Sequence, residues 1–318
     1  MKPPYQITNK ILTLVASISE QIGEIKSANL SKPPTELRKL NRIRTIHSSL
    51  EIEGNTLTFE QITSILEKKR IIGPTKDILE VKNAIKVYDS LDALNPYDFD
   101  SLCEAHRILM SDLVSSAGRL RNKPVGIAKG NEIAHIAPPS DMVKPLLIDL
   151  LDYLENGEDL LLIRSCVFHY EFEFIHPFID GNGRMGRLWQ TLVLKHKYPV
   201  FEYLPIESII KERQEKYYQA LGKSDNTGQS TVFIEFMLEV IKEALDELLN
   251  TQNVSLSTKD RLNLFKEEIG QELFTRKEYL KQFKNISSAT ASRDLKFGVE
   301  KSIINRTGEK NKTKYQFK

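Results

Sequence analysis

Residues 168–195 read FHYEFEFIHPFIDGNGRMGRLWQTLVLK, and the rest of the chain is interpreted outward from them. The first part is an apolar helix pattern. Pro177 ends that helix and fixes the backbone after His176. A loop holding Asp180-Gly181-Asn182-Gly183 follows, and a second helix is expected to begin near Arg184. Gly181 and Gly183 allow successive backbone N–H groups to converge on an anion. The start of the second helix adds the positive end of its dipole. Arg184 and Arg187 are three apart, on one face of that helix's first turns. Cations at a helix N-terminus oppose the dipole, so a compensating anion such as a polyphosphate is expected there.

The loop therefore offers a phosphate cradle, two guanidiniums for bidentate oxygen contacts, one carboxylate (Asp180) and one imidazole (His176). A lone carboxylate beside phosphates suits Mg²⁺, which keeps its waters and borrows phosphate oxygens. An imidazole titrating near neutrality suits a general base. Together the parts predict nucleotide-dependent group transfer. The loop is not a Walker loop, which would end in Gly-Lys-Ser/Thr. Singly, His176 reads as a structural histidine, Asp180 as a turn residue and the arginines as surface groups. It is their convergence within twelve residues that points to a site.

The segment His176 to Arg187, HPFIDGNGRMGR, resembles the complete signature of the Fic family, HPFx(D/E)GNGRxxR, with every specified position matched. The resemblance extends over roughly residues 35–245. Ser-Ala-Gly-Arg-Leu-Arg at 116–121 resembles the family's entry to its substrate flap, and Tyr217-Tyr218 its element near the adenosine. The resemblance implies transfer of AMP from ATP to a protein hydroxyl, with ATP and Mg²⁺ required. It implies His176 as the base, Phe178 as the loop's anchor in the core, Asp180 as the Mg²⁺ ligand, and Asn182 with Gly181 and Gly183 on the α-phosphate. It implies Arg184 and Arg187 on the β- and γ-phosphates. A protein substrate, or a second copy of the chain in self-modification, would dock by strand addition on the flap at 125–136. Upstream, Ser49-Leu50-Glu51-Ile52-Glu53-Gly54 resembles the family's inhibitory pattern, (S/T)xxxE(G/N), which implies that Ser49 and Glu53 face Arg187 and restrain the site. Removal of AMP at the same site is the alternative within the enzyme class. A DNA-binding regulator switched by auto-AMPylation is the alternative outside it.

Most of residues 5–250 reads as helices. Leu37, Leu40, Ile43 and Ile46 recur at helical spacing, as do Val81, Ile85 and Tyr88. Gly54 is expected to stop a helix, and Thr58 with Gln61 to form a capping box for the next. Lys123–Pro139 holds two short apolar runs around Lys129-Gly130-Asn131-Glu132 and predicts a β-hairpin. His106, His135, His169 and His196 fit no metal-ligand spacing and read as structural. Trp189 reads as core.

The 318 residues suit two or three modules, and 28% charged residues suit an ordinary soluble protein. No run of 18 apolar residues predicts a membrane span, and the N-terminus reads as a helix and not a signal peptide. Cys103 and Cys166 lie in helical apolar patterns, as buried thiols of a reducing cytoplasm would. Residues 251–318 hold 15 Lys+Arg against 8 Asp+Glu, a net of +7, which points to an anionic partner. After a polar linker at NTQNVSLST, this segment resembles a winged helix-turn-helix. Ser288, Thr290 and Arg293 would meet bases or phosphates, and Lys310, Lys312 and Lys314 would meet phosphates. Protein docking or a homodimer remains the other use of such a module. The expected fold is mostly α: an N-terminal helical region with the inhibitory helix over 1–90, a Fic helical core with its flap over 91–250, and the winged-helix-like domain over 251–318.

Overall fold

The computed structural model describes residues 3–28, 33–129, 132–250, 257–283, 286–308 and 313–318. The chain is mostly helical. The first four helices are α1 (Asn9–Ser27), α2 (Thr35–Ile52), α3 (Phe59–Leu66) and α4 (Thr75–Asp89). Gly54 takes φ 90° just beyond α2. Thr58 and Gln61 form both halves of the capping box that starts α3. A 3-10 turn at Leu91–Ala93 and the Asn95-Pro96 break lead to α5 (Phe99–Leu109), capped by Asp98.

Strands β1 (Gly126–Lys129) and β2 (Glu132–Ile136) pair antiparallel with a register irregularity between Ile127 and Ala128. The expected turn at Gly130-Asn131 lies outside the described residues. Next come α6 (Val143–Asn156), α7 (Leu161–Ile175) and α8 (Asn182–Lys197). After a 3-10 turn at Pro199–Tyr203 follow α9 (Ile206–Glu212), α10 (Gln214–Thr227) and α11 (Thr231–Asn250). Among the described residues no helix is long and apolar enough to cross a membrane.

Helix α7 explains the site's position. Leu162, Ile163, Val167, Phe168, His169 and Phe172 are buried around its whole circumference, which is the property of a central helix and not a surface one. α8 packs directly against it and is buried from Asn182 to Leu194 except at Gly183. Truncating Phe168 or Phe172 here would cost about 3–5 kcal/mol. The loop between α7 and α8 is thus a short link between the two best-anchored helices.

The chain divides into two compact units, Met1–Ile22 with Asn41–Asp246, and Gly23–Leu40 with Glu247–Lys318. The expected boundary near residue 90 falls inside the first unit. The physical reason is that α2 and α4 share its core: Ile46, Leu50 and Val81 are buried, Asn41 donates to the Tyr203 carbonyl, and the Tyr88 hydroxyl donates to Glu207.

The second unit holds α12 (Thr258–Ile269), α13 (Arg276–Gln282), α14 (Ser288–Glu300) and the antiparallel strands β3 (Ile304–Thr307) and β4 (Lys314–Phe317). Its own core includes Leu262, Phe265, Phe274, Tyr279, Leu295, Ile304 and Phe317. Most of the linker, the turn at Lys284-Asn285, and Lys310 and Lys312 lie outside the described residues.

Candidate active site

Helix α7 ends because His176 adopts left-handed backbone angles, φ 49° and ψ 62°. That conformation costs a non-glycine residue about 1 kcal/mol or more, so the surroundings must enforce it. The His176 N–H still reaches the Phe172 carbonyl at 3.0 Å, and Pro177 excludes further helix. Phe178 is fully buried and stacks on His106, with ring centroids 3.6 Å apart and 5° between planes. His106 accepts the Gly118 N–H on Nδ1 at 2.8 Å and donates from Nε2 to the Asp180 carbonyl at 3.0 Å. Burial pushes its pKa down to about 4, in keeping with this neutral tautomer. His106 is therefore structural, as expected, but its work is to hold the loop.

Asn182 closes the loop. Its amide donates to the Phe178 carbonyl and accepts the Phe178 N–H, both at 2.9 Å. The side chain is occupied in this way, and what Asn182 presents to an anion is a backbone N–H. Gly181 has φ 85°, and a Cβ there would lie 2.7 Å from the Met110 sulfur. α8 starts at Asn182, two residues before the expected start, because Gly181 already turns the chain into the helix. No side chain caps this N-terminus, and its first turn has no acidic residue, so its leading N–H groups are suited to an anion.

Both arginines are buried, and each meets a carboxylate. Arg184 donates to Glu80 on α4 at 3.2 Å and to Asp180 at 3.1 Å. Arg187 donates from Nη2 to Glu53 at 2.8 Å and to the Ser49 carbonyl at 3.0 Å, and from Nε to the Ser49 hydroxyl at 3.2 Å. Burial works against the Arg187 charge, but the Glu53 carboxylate opposes it and the Arg187 pKa lies above the ordinary value. Gly183 makes room for this contact: a Cβ there would sit 2.6 Å from Glu53 Oε1. Ser49, Glu53 and Arg187, which the family resemblance sets facing one another, thus lie together. Glu53 lies just past α2, where its N–H bonds the Leu50 carbonyl and Gly54 bonds Glu51.

Asp180 is a single exposed carboxylate. Its Oδ1 accepts the Gly181 N–H at 2.6 Å as well as Arg184. Among the described residues no three His, Cys, Asp or Glu side chains form a metal-ligand group. The donor set fits a cation whose other ligands are water and phosphate oxygens, and does not fit an all-protein cage.

Tyr217 is buried in an aromatic cluster with Phe233 and Phe236, its hydroxyl 3.1 Å from His169 Nε2. Tyr218 is 40% exposed, so of this pair it is the one with surface for a ligand. Burial pushes His169 down to about 3, and it stays neutral with Nδ1 donating to Gln190.

Four further residues shape the site. Glu80 shares the buried stripe of α4 with Ala84 and Val87; a carboxylate on an apolar stripe is its sequence signal. Asn55 donates to Glu80 at 2.8 Å and to the Asp77 carbonyl at 3.1 Å, which pins the turn after Glu53 onto α4. Burial pushes Glu173 up to about 8 against the opposing pull of Arg187, and its Oε1 has no hydrogen-bond partner among the described residues. Arg121, 2% exposed, joins the loop to the base of the β1–β2 hairpin. It lies in coil, where periodicity gives no warning, and only the resemblance of residues 116–121 to the family's flap entry marks its segment.

This geometry can be set beside known proteins. Residues 96–194 match the model of the Fic/DOC family. A solved Fic family protein from Desulfovibrio desulfuricans G20 is 40% identical, with a TM-score of 0.77, and the match covers 100% of this chain and 98% of that one. The chain belongs to the Fic family. Protein adenylyltransferase fic-1 of Caenorhabditis elegans is 26% identical over 80% of the chain and 52% of its own length. Protein adenylyltransferase Fic of Drosophila erecta is 32% identical over 63% of the chain and 40% of its own length. The chain thus spans about half the length of these relatives or less. A solved Fic-1 from C. elegans shares the fold, with a TM-score of 0.59 at 20% identity over 76% of this chain and 75% of that one.

Proposed function

We propose that this Fic protein transfers AMP from ATP to a protein hydroxyl at the loop between α7 and α8, and that Glu53 restrains it. The observation that carries the reading is the pairing of a complete HPFIDGNGRMGR loop, open at the uncapped start of α8, with a buried Arg187 held by one carboxylate from the turn after α2. The names of the worm and fly relatives support the same chemistry.

In this mechanism the His176 imidazole takes the proton of the target hydroxyl. That oxygen bonds the α-phosphorus as the bond to the bridging oxygen breaks and pyrophosphate leaves. The N–H groups at Asn182 and Gly183 hold the α-phosphate, and Arg184 and Arg187 the outer phosphates. Asp180 would hold Mg²⁺, which would neutralise phosphate charge when bound. Glu53 occupies Arg187, so the γ-phosphate must displace it before the chain of phosphates lies in line. Tyr218 would lie near the adenosine. The target, a second copy of the chain included, would add a strand to the hairpin at 125–136. The two free thiols suit a reducing cytoplasm.

The test is mass spectrometry of the protein and of a cell lysate after incubation with ATP and Mg²⁺. AMP adducts on hydroxyl side chains that need His176 are expected; adducts undiminished in His176→Ala, or none from any variant, would refute the reading. The order of α12, α13, α14 and the β3–β4 hairpin supports a winged-helix reading of the second unit. Exposed Arg293, Lys296 and Lys314 suit duplex DNA, and retention on DNA that falls steeply with salt would test this.

A further inference from the structure

Arg121 makes a set of contacts that the transfer chemistry leaves unexplained. Its Nε donates to the His176 carbonyl at 2.8 Å, Nη1 to the Lys123 carbonyl at 3.0 Å, and Nη2 to the carbonyls of Pro138 at 2.5 Å and Ile175 at 3.1 Å. Its own backbone N–H donates to the Pro177 carbonyl at 2.9 Å. Five carbonyl oxygens are bound in all, and no carboxylate pairs with this buried guanidinium among the described residues. Burial works against the charge and lowers its pKa, yet a guanidinium remains protonated. A buried cation satisfied only by carbonyl dipoles is an expensive arrangement, tolerable only where several donors meet fixed acceptors.

The acceptors fall into two groups. Lys123 and Pro138 are on the two legs of the hairpin, which meet through the Ala137 N–H to Val125 carbonyl bond at 3.2 Å. Ile175, His176 and Pro177 are the end of α7 and the start of the loop. One planar fork therefore fixes the root of the hairpin against the strained residue whose imidazole is the proposed base. The loop has supports of its own in the Asn182–Phe178 clamp and the His106 stack. Loss of Arg121 would thus loosen the hairpin root more than the loop.

We infer that Arg121 is a positioning residue that registers a target hydroxyl docked on the hairpin against His176, so that transfer to protein depends on it while transfer to water does not. The inference rests on the proposed AMP transfer. Water needs no hairpin: its oxygen bonds the α-phosphorus as the His176 imidazole takes its proton, the bond to the bridging oxygen breaks, pyrophosphate leaves, and free AMP is the product. A docked hydroxyl is held by the hairpin, and a displacement of about 1 Å lowers its rate by on the order of 10²-fold.

The experiment compares Glu53→Gly with Glu53→Gly/Arg121→Lys and Glu53→Gly/Arg121→Gln, using ATP labelled in the α-phosphate and Mg²⁺. It measures AMP on protein, free AMP, and the KM for ATP, with circular dichroism and melting to establish folding. Lysine keeps the charge but cannot fork across four carbonyls, and it is the informative variant if the glutamine variant does not fold. Protein labelling in the lysine variant should fall about tenfold or more, with free AMP formation and KM within about twofold. Equal losses in both products, or unchanged labelling, in a folded lysine variant would overturn the inference. If Glu53→Gly itself forms neither product, the proposed transfer fails, and that result is distinct from failure at Arg121.

Discussion

Two buried arginines, one in each unit, are paired with carboxylates in opposite ways. In the second unit Arg261 grips Asp294 with two bonds, Nε to Oδ2 at 2.6 Å and Nη2 to Oδ1 at 2.8 Å. The Thr258 hydroxyl adds a bond to Oδ1 at 2.7 Å and the Tyr279 hydroxyl one to Oδ2 at 3.2 Å. The Asp294 side chain is 1% exposed. Burial would raise its pKa, but Arg261 and Thr258 outweigh burial and hold it below the ordinary value. In the first unit Arg187 meets Glu53 through one nitrogen, and the Glu53 side chain is 29% exposed. A saturated, dry pair fixes how three helices meet. A pair with one bond and one wet partner can be exchanged for another anion. Glu173 sharpens the contrast, because it lies near enough to Arg187 to feel its charge and is neutral only while burial and Glu53 keep it so.

The largest expected effect comes from breaking the saturated pair. Asp294→Ala strands Arg261 and should cost about 3–5 kcal/mol, seen as accelerated hydrogen exchange across α12, α13 and α14. Glu53→Gly should cost about 1 kcal/mol or less, because Ser49 still accepts two bonds from Arg187 and Glu173 can ionise in place of Glu53. Equal losses in the two variants would erase the distinction.

Asn55→Ala should have an intermediate effect. It removes the donor that ties the turn after Glu53 to Glu80, at about 1–3 kcal/mol of stability. Self-labelling should rise about threefold, less than on removing Glu53, since a loosened carboxylate still competes for Arg187. Labelling at or below the wild-type rate would mean that the turn does not hold the brake.

The last effect is a pH slope. Glu173 titrates near 8 in the folded protein and near the ordinary carboxylate value when unfolded, so between those values the folded state holds the extra proton. Stability conferred by that neutral carboxyl is present at low pH and is lost as pH rises toward 8. Glu171 and Glu207, each pushed to about 7 by burial, act in the same sense. His106 and His169 act in the opposite sense, but only below about pH 6.5. From pH 6.5 to 8 the urea midpoint should therefore fall, and Glu173→Gln should remove its own share of the slope, at most about 1.4 kcal/mol per pH unit. A wild-type midpoint that rises over this range would contradict the assignment.

The sequence shows the site best where residues are local. His176 to Arg187 is one unbroken segment, and its loop, glycines and arginines are readable from spacing alone. Ser49 and Glu53 are readable only through resemblance, since their partner lies 134 or more residues away. Glu80, Asn55 and Arg121 act through long-range contacts made by ordinary residue types in a helix stripe, a turn and coil. Asn182 shows the opposite limit: its place in the loop is legible, but the clamp on Phe178 that occupies its amide is a tertiary fact. α7 was legible as an apolar helix and α8 as a helix, whereas the sharing of one core by α2, α4 and α9 was not, because helical periodicity gives a face and not its partner.

The central claim is that the single contact between Glu53 and Arg187 restrains a competent site, and the initial rate of self-labelling with ATP and Mg²⁺ tests it most directly. Wild type, Glu53→Gly and Glu53→Gly/His176→Ala are compared at equal concentration. The account predicts a rise of about tenfold or more in the single variant, with ATP affinity changed much less, and no labelling in the double variant. A single variant that labels no faster than wild type, or a double variant that still labels, would contradict it.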